Sequence, residues 1–70
     1  TTIMDNVYIA PGCLIAGRVT IENDVFIGIG AIIKENVVIG EGSIVGAGAV
    51  VLENVQKNSV VAGIPAKLLK

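Results

Sequence analysis

The chain has 70 residues, of which 53% are apolar and 16% charged, and a formal net charge of −1. This length allows one small domain with a marginal core of its own, so the high apolar content favours burial against partner chains. The absence of a basic stripe and the scarcity of aromatic residues argue against nucleic-acid binding. The longest uncharged apolar run, residues 25–33, is about half the length that spans a bilayer.

Two absences in the composition narrow the function further. The single cysteine cannot form an internal disulfide and no signal peptide is visible, so we expect a cytoplasmic protein. There is no histidine, which excludes zinc enzymes with histidine ligands, and we expect no metal. Because the chain begins with Thr1, we expect it to be the C-terminal part of a longer protein.

A β-branched aliphatic residue recurs every six positions along the chain. Six residues advance an α-helix by roughly 240°, which scatters these side chains around a helix. An even period keeps them on one side of a strand. Each hexad therefore predicts a short strand followed by a corner. The nine aliphatic positions are Ile3, Ile9, Ile15, Ile21, Ile27, Ile33, Ile39, Val45 and Val51.

Two further positions of the hexad have a constant character. The fourth residue after each aliphatic, from Val7 and Cys13 to Val55, is small, and we expect it to line the corner from inside. For Cys13, core packing is favoured over a role as a nucleophile. The third residue after each aliphatic is of a type that tolerates positive φ, except Arg18. These nine residues are Asn6, Gly12, Arg18, Asp24, Gly30, Asn36, Gly42, Gly48 and Asn54.

Three corners close a triangular coil of eighteen residues. We therefore predict an all-β fold, a parallel β-helix of nearly four 18-residue coils. The β-helix is expected to cover residues 1–66, and residues 67–70 form a C-terminal tail. Residues eighteen apart in sequence then stack on adjacent coils.

This stacking gives the column three edges of different character. We name them the glycine edge (residues 10–12, 28–30 and 46–48), the acidic edge (4–6, 22–24 and 40–42) and the mixed edge (16–18, 34–36 and 52–54). The glycine edge has no charge and almost no side chain. We interpret the absence of a Cβ at Gly28 and Gly46 as room for a ligand or a neighbouring subunit, the alternative being that they only ease the turn.

The residues just before each aliphatic point outward and form two apolar faces. One face carries Tyr8, Phe26 and Ile44, the second Leu14, Ile32 and Val50, and the third, more polar, Thr20, Val38 and Gln56. Apolar faces of this extent mark interaction surfaces. We expect a homo-oligomer, and a trimer suits a three-sided prism.

The repeats resemble those of the hexapeptide-repeat proteins, whose fold is a left-handed parallel β-helix, over essentially all 70 residues. The terminal GIPAK is similar to the last coil of hexapeptide acyltransferases. The segments IAPG, AGRV, FIG and GAGA resemble the sialic acid O-acetyltransferases and bacterial aminosugar N-acetyltransferases. The resemblance implies transfer of an acetyl group from acetyl-CoA to a hydroxyl or amino group of a sugar or nucleotide-sugar, by a homotrimer.

In that family acetyl-CoA lies in a groove between two subunits and is held largely by main-chain groups. The resemblance implies that the coenzyme contacts Gly17, Ile29 and Ala47. It also implies that Gly30 and Gly48 keep the groove open and that Lys67 binds a coenzyme phosphate.

Acyl transfer needs a base for the incoming nucleophile. The family uses a histidine, which the resemblance places upstream of Thr1. A second family histidine aligns with Tyr8, but a phenol is a poor base at neutral pH, so we interpret Tyr8 as pocket wall or interface and only weakly as catalytic. Two alternatives stay open: a non-catalytic β-helix that assembles a larger protein, and acyl transfer to an amino acid.

Overall fold

The computed structural model describes residues 1–70 as eleven short strands joined by turns, with no helix. Accordingly, it holds no helical segment with the length and apolarity needed to cross a membrane. The strands are β1 (Thr2–Ile3), β2 (Tyr8–Ile9), β3 (Leu14–Ile15), β4 (Thr20–Ile21), β5 (Phe26–Ile27), β6 (Ile32–Ile33), β7 (Val38–Ile39), β8 (Ile44–Val45), β9 (Val50–Val51), β10 (Val60–Ala62) and β11 (Lys67–Leu68).

The strands form the three sides of a column. Sheet A contains β1, β4 and β7, sheet B contains β2, β5, β8, β10 and β11, and sheet C contains β3, β6 and β9. Ile27 pairs in parallel with Ile9 on one side and with Val45 on the other, an offset of eighteen residues in each direction. The predicted all-β parallel β-helix of hexapeptide repeats is therefore confirmed.

The core is a stack of aliphatic side chains along the axis of the column. Ile21, Ile27 and Ile33 have no exposed surface, because each lies between a coil below and a coil above. The small corner-lining residues complete the core, as Val19 and Ala31 are equally buried. From Val19 to Val51 each hexad thus buries one large and one small side chain, as the sequence predicts, whereas the first coil is less covered and Ile3 is 50% exposed.

The corners turn through residues in the left-handed conformation. Eight of the nine expected positions have positive φ, including Arg18 at 58°, whose residue type argued against it. The N–H group of such a residue donates to the corner of the preceding coil, as in the 3.1 Å bond from Asn36 to the carbonyl of Gly17. Corner geometry therefore overrides residue preference at Arg18.

The last coil is two residues shorter than predicted. Val55 pairs with Ile39 and Val61 with Val45, an offset of sixteen residues in both cases. The expectation that Val55 lines a corner is therefore wrong, since it takes an inward strand position. Asn54 is not left-handed, and the next left-handed residue is Asn58 with a φ of 58°, whose N–H donates to the Glu41 carbonyl of the acidic edge.

Polar side chains make the shorter coil possible. The Ser43 hydroxyl donates to the carbonyl of Gln56 at 2.7 Å and accepts the N–H of Ser59 at 3.2 Å, in a site with no exposed surface. The N–H of Val38 donates to the Asn54 side-chain oxygen at 2.8 Å. Asn54 rather than Gln56 therefore extends the outer side of sheet A.

The chain ends by reversing direction. Strand β11 runs antiparallel to β10, with Lys67 opposite Ala62 and Leu68 opposite Val61. Residues 67–68 thus add a strand to sheet B, and a division of the chain at residue 66 stays a prediction.

Candidate functional site

Ile29 and Ala47 lie on adjacent coils of the glycine edge, as expected. The N–H of Gly48 donates to the carbonyl of Ile29 at 2.8 Å, and the N–H of Gly30 donates to the carbonyl of Pro11 at 3.2 Å. Ile29 is 59% exposed and Ala47 is also exposed. The edge is therefore a straight, accessible strip of main chain between sheets B and C.

The main-chain N–H groups of Ile29 and Ala47 donate no hydrogen bond within the chain. At the acidic edge two of the three corresponding N–H groups are occupied, because the Asp5 N–H donates to the Asn23 side chain at 2.9 Å and the Glu41 N–H to the Glu22 carboxylate at 3.0 Å. The glycine edge has no polar side chain to act as acceptor. Two donors about 4.8 Å apart along the axis are thus available to carbonyl oxygens of a ligand.

The space in front of these donors is open. A Cβ atom at Gly30 or Gly48 would have no neighbouring atom within 4 Å. Both residues are left-handed, with φ of 71° and 69°, so a glycine satisfies the corner and leaves the strip uncovered.

Gly28 and Gly46 have a different reason to be glycines, and our interpretation of them as room for a ligand is wrong. A Cβ at Gly28 would lie 2.6 Å from the nitrogen and 2.9 Å from the Cα of Ala47, and one at Gly46 would lie 3.0 Å from the Cβ of Ala62. Gly40 on the acidic edge is equally constrained, since its Cβ would lie 2.8 Å from the Cα of Lys57. These glycines let the next coil close over them.

A fourth segment stacks on the glycine edge, and the eighteen-residue period did not predict it. Residues 62–64 stack on residues 46–48, because β10 continues β8 at an offset of sixteen. Gly63 has a φ of 100°, and its carbonyl accepts the N–H of Val50 at 3.0 Å. The signal in the sequence was the pair Val60 and Val61, which repeats Ile44 and Val45 two positions early.

Gly17 lies on the mixed edge, on the opposite side of sheet C from the glycine edge. A Cβ there would meet nothing within 4 Å, and its N–H donates no hydrogen bond within the chain. One column therefore does not bring Gly17 together with Ile29 and Ala47.

Lys67 lies near the C-terminal end of the glycine edge. It pairs with Ala62, which stacks on Gly46. Its exposed side chain also borders a cavity of about 390 Å³ at the end of the column, with Val51, Val55 and Val61 among the lining residues. Ile29 and Ala47 are not part of that cavity, so the strip of donors is an open surface rather than a pocket.

Tyr8 and Cys13 both make packing contacts, and these contacts account for the two residues without a catalytic role. The Tyr8 ring is 53% exposed on the outer face of sheet B and stacks on Phe26, with ring centroids 5.0 Å apart. The Cys13 thiol is half-buried, packs against the core and donates to the carbonyl of Gly28 at 3.1 Å.

The two apolar faces flank the glycine edge. Phe26 and Ile44 on sheet B are 46% and 44% exposed, and Leu14 and Ile32 on sheet C are 64% and 40% exposed. Any partner that covers both faces therefore also approaches the strip of free N–H groups.

Comparisons with known proteins give a consistent picture. The family model described as bacterial transferase hexapeptide (six repeats) matches residues 18–53. Among solved structures, a galactoside acetyltransferase in complex with coenzyme A is 33% identical, with a TM-score of 0.95 over 99% of this chain and 44% of that chain. Among the curated proteins, none matches this chain by sequence.

Two further solved structures are also acetyltransferases, and both have been solved with CoA or acetyl-CoA. The acetyltransferase domain of PglB from Neisseria gonorrhoeae, also solved with acetyl coenzyme A, is 38% identical, with a TM-score of 0.88 over 90% of this chain and 31% of that chain. A variant perosamine N-acetyltransferase from Caulobacter crescentus, in complex with CoA and GDP-perosamine, is 32% identical, with a TM-score of 0.95 over 97% and 32%. The chain spans less than half the length of each of these three proteins.

Proposed function

Because the chain belongs to the bacterial transferase hexapeptide family and is a left-handed parallel β-helix, we propose that its protein is an acetyl-CoA-dependent acetyltransferase. The acceptor is a hydroxyl or amino group of a sugar or nucleotide-sugar, in line with the named activities of the similar structures. The observation that carries the proposal is the pair of free N–H groups of Ile29 and Ala47 on an edge without polar side chains.

In this proposal acetyl-CoA lies along the glycine edge. The N–H groups of Ile29 and Ala47 donate to carbonyl oxygens of the coenzyme, and Gly30 and Gly48 leave room for it. A donor placed at the thioester carbonyl also stabilises the negative charge that develops during acyl transfer. Lys67, beside the C-terminal end of the edge, binds a coenzyme phosphate.

We propose a cytoplasmic homotrimer as the functional unit. Burial of the apolar faces of sheets B and C places the glycine edge between them at a subunit boundary, and Gly17 is then supplied by the neighbouring subunit. Sedimentation equilibrium of the full-length protein is expected to give three times the mass of one chain. A monomer at micromolar concentration contradicts this arrangement.

The base for the acceptor comes from outside these 70 residues in our proposal. The chain contains no histidine, and Tyr8 stacks on Phe26 in an exposed position where it forms wall or interface. We propose a histidine upstream of Thr1, as the resemblance to aminosugar acetyltransferases implies. What these residues contribute is therefore coenzyme binding and stabilisation of charge.

Ala47→Pro tests the proposed contact directly. Proline removes the N–H, and the chain already accepts proline at the equivalent corner position, Pro11. We expect acetyl-CoA affinity, measured by isothermal titration of the full-length protein, to fall about ten-fold or more, because a donor to the coenzyme is lost.

Ala47→Gly is the matched control, since it retains the N–H and removes only one methyl group. Its acetyl-CoA affinity is expected to stay within about three-fold of the parent protein. If Ala47→Pro folds and binds acetyl-CoA as tightly as the control, the coenzyme does not use this donor. A parent protein that binds no acetyl-CoA at all favours the alternative of a non-catalytic assembly domain.

A further inference from the structure

Arg18 has the left-handed conformation of the other corner residues, although arginine is not a residue type that favours positive φ. Its φ is 58°, and of the ten residues with positive φ it is the only one that is not Gly, Asn or Asp. The left-handed conformation is disfavoured for residues with a long side chain. Residues held in such conformations cluster at binding and catalytic sites. An arginine therefore occupies a left-handed position at which the other corners have Gly, Asn or Asp.

The surroundings of Arg18 leave its side chain free to bind a ligand. It is exposed, and its guanidinium donates no hydrogen bond within the chain. The adjacent Gly17 leaves open space, since a Cβ there would meet nothing within 4 Å, and its N–H is also free. The next coil contributes Lys34 and Glu35, whose charges offset each other, so the mixed edge has no general positive field at this point.

We propose that Arg18 binds a phosphate group of a ligand that lies over Gly17. A guanidinium forms two parallel hydrogen bonds to phosphate oxygens, and the Gly17 N–H adds a third donor. The inference rests on the proposed function, which places Gly17 at the coenzyme groove. The phosphate belongs to the coenzyme or to a nucleotide-linked acceptor, and the two sources present the same chemistry to the arginine.

Arg18→Asn in the full-length protein tests this role. The substitution removes the guanidinium and suits the corner, because Asn6 and Asn36 hold nearly the same φ, 59° and 64°. Isothermal titration uses coenzyme A, 3′-dephospho-coenzyme A and UDP as probes. We expect the affinity for at least one probe to fall about ten-fold, while the midpoint of thermal unfolding stays unchanged or rises. Arg18→Lys keeps the charge without the fork and is expected to recover only part of the loss.

The pattern of losses identifies the source of the phosphate. A loss for coenzyme A but not for its dephospho form indicates the 3′-phosphate, an equal loss for both indicates the diphosphate of the coenzyme, and a loss for UDP alone indicates the acceptor.

Lys34→Gln is the matched control, because it removes a cation from the next coil of the same edge. The proposal is overturned if Arg18→Asn leaves all three affinities within about two-fold of the parent protein. It is equally overturned if Lys34→Gln lowers them as much, since binding then depends on diffuse charge. Failure of the proposed function itself is a separate result, in which Ala47→Pro retains its acetyl-CoA affinity whatever the Arg18 variants do.

Discussion

Gly28→Ala is expected to destabilise the protein by about 3 kcal/mol, more than most single methyl additions. The added Cβ would lie 2.6 Å from the nitrogen and 2.9 Å from the Cα of Ala47. These are main-chain atoms, and the coils on both sides are tied by hydrogen bonds, including the 2.8 Å bond from the Gly28 N–H to the carbonyl of Val45. Relief of the clash therefore requires separation of two coils. Urea denaturation of the full-length protein measures the change.

Gly17→Ala is the control for this stability effect. Its new Cβ would meet nothing within 4 Å and Gly17 is not left-handed, so the free energy of unfolding should change by no more than about 0.5 kcal/mol. If Gly28→Ala proved as stable as the parent but lost coenzyme binding, the interpretation of Gly28 as space for a ligand would be restored. Loss of stability in Gly28→Ala alone supports coil closure as the reason for this glycine.

Ile27→Ala is expected to cost about 4 kcal/mol of unfolding free energy. Ile27 has no exposed surface and lies between Ile9 and Val45 in the middle of the core stack. In a solenoid each coil packs only against its neighbours, so the deleted atoms remove contacts on both sides. The hydrogen-bonded coils cannot collapse into the cavity, because the Ala10 N–H remains bonded to the Ile27 carbonyl at 3.0 Å.

Ile64→Ala provides the comparison for Ile27→Ala, as the same chemical change at a side chain that is 77% exposed. Its expected effect is about 0.5 kcal/mol or less. Thermal unfolding of both variants, followed by circular dichroism in the full-length protein, separates the two positions. Similar midpoints for the two would mean that the aliphatic column is not the main source of stability.

The repeated hexad predicted most of the fold because its period is local and its physical meaning is simple. An even spacing puts Ile21, Ile27 and Ile33 on one side of successive strands, and the structure buries all three completely. The stacking of Ile29 beside Ala47 followed from the same count. Whether their N–H groups are free did not follow, because it depends on acceptors on other coils, such as the Glu22 side chain at the acidic edge.

The failures arose because a count of positions assumes coils of equal length and does not show contacts between coils. Ser43 counted only as a small residue, yet its hydroxyl satisfies main-chain groups at Gln56 and Ser59 and so supports a coil that is two residues shorter. Gly28 appeared superfluous for a different reason, which is that its role depends on contact with the main chain of Ala47 in the next coil. Such dependences lie between segments far apart in sequence and have no periodic signature.

The reversed direction of β11 has a consequence for the exposed edge of sheet B. A stack of parallel coils presents unpaired N–H and C=O groups at its last coil, and a second molecule could add there, head to tail, without limit. At sheet B the last coil is β10, and its outer side is occupied by Lys67–Leu68 running the other way. An incoming strand therefore cannot pair with β10 on that side, and the exposed Lys67 places a charge at the edge. Lys67–Leu68 thus cover the outer edge of β10 with backbone hydrogen bonds of the same kind as those that hold the coils together.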